Sequence, residues 1–142
     1  MNLADKNCYQ CKTGLLPGHS YAATVKIAWR FFNRIATSTK RRPYVRSAYF
    51  NNEKVFLDHF WPHLNQKNPT DRKHRLRYLQ SGIELIRNYK CSPVLIKSDI
   101  IRKEVLYRFM GIASGTHFLV QVKEDIKHNQ KSLMSIFGYN EK

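Results

Sequence analysis

The apolar period of this chain changes once, at Pro93, and a chain with a single such change is confined to a few layered arrangements. Upstream, Tyr21, Val25, Ala28, Trp29, Phe32, Ile35 and Ala36 fall on one helical face, with Lys26, Arg30, Asn33 and Arg34 opposite. This pattern predicts a helix that packs inward through aromatics and shows positive charge outward, ended at the latest by Pro43. A second helix is expected to start at Pro69-Thr70-Asp71 and to continue through Leu76, Leu79, Ile83 and Ile86 to about Tyr89. Between them, Tyr49-Phe50, Asn51-Asn52 and Val55-Phe56-Leu57 fit either a short strand and turn or the approach to a small helix. Pro62 argues against a long helix there.

Downstream of Pro93, residues 105–112, 117–123 and 132–137 are rich in β-branched and aromatic side chains and are separated by turn-forming or polar stretches. They predict an antiparallel meander. The expected fold is α+β, with N-terminal helices packed on a small C-terminal antiparallel β-sheet. Residues 18–142 read as one domain, and 1–17 as a flexible N-terminal arm. That arm carries Cys8-Tyr9-Gln10-Cys11, a single cysteine pair. Cys91 and His19 would have to complete any zinc site, whereas a strong zinc signal is a doubled pair. No metal and no cofactor are expected.

Charge narrows the partner. The chain holds 25 Lys and Arg against 10 Asp and Glu, a formal net charge of +15. Residues 1–71 carry 11 basic and 4 acidic residues, and 72–142 carry 14 and 6, so the surplus belongs to the whole domain rather than to a tail. Hydrophobic residues at 42% and aromatics at 13% allow a packed core, which excludes a disordered basic tail. A self-repelling surplus on a folded domain points to a polyanion, nucleic acid first. The local clusters are Lys40, Arg41, Arg42 and Arg46, and Arg72, Lys73, Arg75 and Arg77. Apolar runs are short and the first residues lack a signal-peptide pattern, so the expectation is a cytoplasmic protein with no membrane partner.

Strand alternation puts Leu119, Gln121 and Lys123 on one face and Phe118, Val120 and Val122 on the other. With matching registers, Arg108, Gln121, Lys123 and Ser135 form one polar patch. Ten scattered acids make a two-metal nuclease site improbable. Metal-free RNA cleavage needs a base, an acid and cations around the phosphate, and His59, His63, Lys and Arg supply those residue types.

The segments His59-Phe60-Trp61-Pro62-His63-Leu64, Leu106-Tyr107-Arg108-Phe109-Met110-Gly111, Phe118-Leu119-Val120-Gln121-Val122-Lys123-Glu124-Asp125 and Leu133-Met134-Ser135-Ile136-Phe137 occur in that order. Together they resemble the phage- and mobile-element-associated branch of the barnase, EndoU, colicin and RelE-like nuclease fold, from Glu53 to Phe137. The resemblance implies an RNA-binding antiparallel sheet and metal-independent cleavage in toxins, delivered effectors or conflict proteins. It maps the family's histidine to His63 or His59, its arginine to Arg108, its second-strand basic residue to Lys123 and its hydroxyl to Ser135. The chain departs from the barnase pattern in lacking an obvious glutamate base, Glu124 being the nearest.

The expected function is a metal-independent endoribonuclease of toxin type, acting in the cytoplasm, its own or that of a target cell. His63 or His59 would serve as acid or base, Arg108 and Lys123 would stabilise charge, and Gln121 and Ser135 would orient phosphate or base. RNA is the expected partner, with an acidic antitoxin or immunity protein as inhibitor. The alternatives are a non-catalytic nucleic-acid-binding protein of a mobile element and a catalytically dead adaptor for an acidic protein.

Overall fold

The computed structural model describes residues 8–17 and 20–139. Among the described residues a mixed sheet of seven strands, curled into a half-barrel, organises the fold, and four helices pack against it. This corrects the expected fold class of helices on a small C-terminal antiparallel sheet. Strands from both ends of the chain share one sheet, and two of its pairings are parallel. In chain order the elements are β1 (Cys8–Gln10), α1 (Tyr21–Ser38), β2 (Tyr44–Ser47), β3 (Glu53–Phe56), α2 (Phe60–Asn65), α3 (Pro69–Leu76), α4 (Leu79–Asn88), β4 (Leu95–Asp99), β5 (Glu104–Ala113), β6 (Thr116–Asp125) and β7 (Gln130–Gly138). The sheet order is β1, β5, β6, β7, β3, β2. β4 and β1 divide the remaining edge of β5, pairing with its first and second halves respectively.

Local chemistry accounts for the helices. Ser20 caps α1 by accepting the Ala23 amide, and Thr24, Ala28, Phe32 and Ile35 form its buried face. Trp29 stacks on Trp61 of α2 with centroids 4.6 Å apart, tying the two helices together. Asn68 caps α3 by accepting the Asp71 amide, with Pro69 in the first turn. The helix expected over 69–89 is two helices. At Tyr78 the amide donates to the Arg75 carbonyl at 3.1 Å, a tightened turn that ends α3 before α4 begins. The break leaves both Leu76 and Leu79 fully buried.

The core lies between α4 and one face of the sheet, where Ile83 and Leu85 meet Phe109, Phe118, Val120, Val122, Leu133 and Ile136. Gly82 and Gly111 permit the close approach. A Cβ on Gly82 would lie 2.5 Å from Ile136, and one on Gly111 would lie 2.6 Å from Phe118. On the β3 side, β7 pairs only through Lys131 and Ser132. The rest of that edge is covered by α2 and α3, which brings two helices beside the sheet's other face.

Residues 8–17, part of the segment read as an arm, are bonded into this structure, while 1–7 lie outside the described residues. β1 runs parallel to β5, and Leu16 is buried with its carbonyl accepting from Arg77 Nε at 2.9 Å. Glu84 of α4 accepts from the Tyr9 hydroxyl at 2.7 Å and from the Lys12 and Thr13 amides at 2.8 Å each. Burial raises the Glu84 pKa, but these hydrogen bonds outweigh it and hold the carboxyl below its usual value of 4.5. The stabilisation is therefore complete above that value and lost as pH falls through the lower folded one. Glu84→Ala should cost roughly 2 kcal/mol in urea denaturation at pH 7 and speed proteolysis within residues 8–17. Parental protease resistance would show that the segment is held by other contacts.

Candidate active site

Three long strands carry two opposed faces. Val105, Tyr107, Phe109, Phe118, Val120, Val122, Leu133 and Ile136 point to the core side, so the residues that alternate with them point outward. On this outer face Arg108 pairs in register with Gln121, and Gln121 with Ser135. A β-bulge helps to set the row. The β6–β7 register shifts after Gln121, leaving Met134 as the extra residue, so Ser135 faces outward with Gln121 while Leu133 turns inward opposite Val122. Without the bulge, alternation would put Leu133 beside Ser135.

Side chains complete the row. Arg108 Nε donates to Gln121 Oε1 at 3.0 Å, and Arg75 of α3 donates to Ser135 Oγ at 2.6 Å. Arg75 is also held by Asp71 at 3.1 Å. Both guanidinium groups lie near the ring of Phe137, at 5.1 Å for Arg75 and 5.7 Å for Arg108. His63 projects from α2 into the same neighbourhood and shares a small recess with Arg75, Met134 and Ser135. Burial, then Lys67, Arg75 and Lys123, lower the imidazole's pKa below 6.5. Lys123 lies two residues further along β6 on the same face, 3.8 Å from Glu104.

His63, Arg75, Arg108, Gln121, Lys123 and Ser135 are thus brought together, and the other candidates lie elsewhere. His59 is exposed at the start of α2, beside Asp58. Glu124, the nearest carboxylate by sequence, points to the opposite face, where it accepts from Tyr107 at 2.9 Å and pairs with the buried Lys131 at 3.3 Å. Arg77 is engaged with Leu16, and Arg72 donates to the Lys67 carbonyl at 2.6 Å. Lys73 lies half-buried on α3. Lys40, Arg41, Arg42 and Arg46 gather after α1 and on β2, with Arg42 forked onto Asp58 at 2.7 and 2.8 Å. Cys11 is a poor zinc ligand as placed. Its thiol donates to the Ser81 carbonyl at 3.6 Å, and burial together with Glu84 pushes its pKa up to about 12. His19 lies outside the described residues.

No protein-family model, curated protein or solved structure matches the chain. Among the described residues no helix is long and apolar enough to cross a membrane. The functional reading therefore rests on the site itself.

Two members of the site, Phe137 and Arg75, are not assigned to it by the sequence. Phe137 reads as ordinary strand hydrophobicity, and only the register reveals it beside the arginines. Arg75 reads as one of a basic run, yet the break at Tyr78 and the stretch of β7 edge left without a strand partner place it on Ser135.

Proposed function

We propose that the chain is a metal-independent endoribonuclease. The observation that carries the reading is the meeting of His63, disfavoured as a cation, with Arg75, Arg108 and Lys123 on the outer face of β5, β6 and β7. A site built only to clamp phosphate gains from a charged histidine. A histidine kept neutral among cations is suited instead to accept a proton.

In this reaction the ribose 2′-oxygen forms a bond to the adjacent phosphorus while His63 takes its proton. The bond from phosphorus to the 5′-oxygen breaks, leaving a 2′,3′-cyclic phosphate and a 5′-hydroxyl. The Lys123 ammonium returns a proton to the departing oxygen. Arg75 and Arg108 hold the non-bridging oxygens, where negative charge accumulates. Ser135 and Gln121 each hold one of these arginines in position, so neither has to be ordered at the moment of reaction.

The purified chain should cut single-stranded RNA in the presence of EDTA and leave 2′,3′-cyclic phosphate ends. Arg108→Ala should slow this by about 10²–10³-fold with an unchanged circular dichroism spectrum. RNA left intact by the parent protein under all conditions overturns the proposal. Salt-sensitive binding without products would then assign the face to nucleic-acid binding alone.

A further inference from the structure

We infer that the outer face carries a second, non-catalytic subsite for single-stranded RNA, at the far end of a row that begins at Lys123. The nature of the strand held there rests on the ribonuclease reading, whereas the row itself follows from strand register. Lys123 is opposite Ser132 on β7, Ser132 is opposite Phe56 on β3, and Phe56 is opposite Tyr44 on β2. Residues paired in this way share a face. Val55, beside Phe56, is fully buried, so Phe56 belongs to the outer face. Three strand steps of about 4.8 Å carry this row roughly 14 Å from Lys123, a span that a few unstacked nucleotides cover.

The row ends in a groove of about 630 Å³ lined by Lys40, Arg41, Tyr44, Lys54 and Phe56 among others. Its aromatic rings are interleaved with cations. Arg42 lies 4.1 Å from the Phe56 centroid, while Lys54 lies 4.6 Å and Arg46 5.6 Å from that of Tyr44. Arg46 and Lys54 also face each other across the β2–β3 pair. Like charges opposite one another destabilise a sheet, and a polyanion in the groove relieves that repulsion. Rings for bases and cations for phosphates are the two components of a single-strand platform, because bases in a duplex do not offer their faces. The groove therefore holds RNA whose scissile bond lies at His63.

The test uses 2′-O-methyl RNA, which lacks the attacking hydroxyl and stays uncut, with binding read by fluorescence anisotropy. The parent protein should bind a nine-nucleotide single strand at least about tenfold more tightly than a three-nucleotide one. Tyr44→Leu should reduce nine-nucleotide affinity by about fivefold or more, and Lys54→Gln, at an exposed position, should weaken it in the same direction. Lys54→Gln keeps the test decisive where Tyr44→Leu fails to fold. Unchanged nine-nucleotide affinity in folded variants overturns the subsite. So does a nine-pair duplex that binds as tightly as the single strand and weakens equally, since that outcome reduces the groove to charge alone. Because no cleavage is measured, a failed cleavage experiment and a failed subsite remain separate results.

Discussion

Replacing His63 with alanine should lower RNA cleavage at pH 7 by about 10²–10⁴-fold, the range lost with a positioned acid or base. The thermal midpoint should stay near that of the parent, because α2 packs through Phe60 and Leu64 rather than through the imidazole. The pH profile adds a sharper signature. Burial, Lys67, Arg75 and Lys123 all disfavour the imidazolium, so the rate should fall on the acid side only below the ordinary histidine value of 6.5. Folding linkage has the matching sign. Below that value the unfolded chain binds the proton more readily than the folded one, so His63 makes the fold less stable as pH falls. A His63→Ala protein that kept the parental rate and acid limb would remove the imidazole from the proposed reaction.

The largest stability effect is expected at Gly111. A Cβ there would lie 2.6 Å from Phe118 Cζ and 2.9 Å from Leu85 Cδ1, the first on β6 and the second on α4. Neither neighbour has free space, since Phe118 is fully buried and stacks on Tyr78 at 5.3 Å. Gly111→Val should lower the unfolding free energy in urea by about 3 kcal/mol. That is a large share of the roughly 5–15 kcal/mol a domain possesses. Gly111→Ala combined with Phe118→Leu should recover part of the loss by making room on the sheet side. A Gly111→Val protein with parental stability would mean that α4 rides on the sheet more loosely than its contacts indicate.

What the sequence makes legible is determined by how far a periodic pattern extends. The face of α1 repeats over four turns and is plain. The strands of β5 and β6 are long enough for alternation to separate Arg108, Gln121 and Lys123 from Phe109, Val120 and Val122. Three-residue β1 has no period to read, and its partner lies about a hundred residues away. β4 is exposed along its whole length, so it shows no alternation. β2 and β3 have a local marker, Asn51-Asn52, which sits at positive φ of 55° and 67° as a tight reversal. The break at Tyr78 is hidden because Leu76 and Leu79 satisfy helical spacing across it. The bulge at Met134 is equally silent. Arg75 and Phe137 join the site through these unreadable irregularities, which is why alternation alone yields Arg108, Gln121, Lys123 and Ser135 without them.

The two parallel pairings fix when the molecule can come into being. β1 waits for β5, and the β2–β3 hairpin waits for β7, the last strand of the described residues. Such non-local closures are slow steps in folding, because loop-closure entropy is lost before the contacts form. Ser135 and Phe137 lie on that final strand, opposite groups contributed earlier in the chain. A chain in which β7 has not yet paired therefore has Arg75, Arg108 and Lys123 but lacks the Ser135 hydroxyl that holds Arg75 and the Phe137 ring beside both arginines.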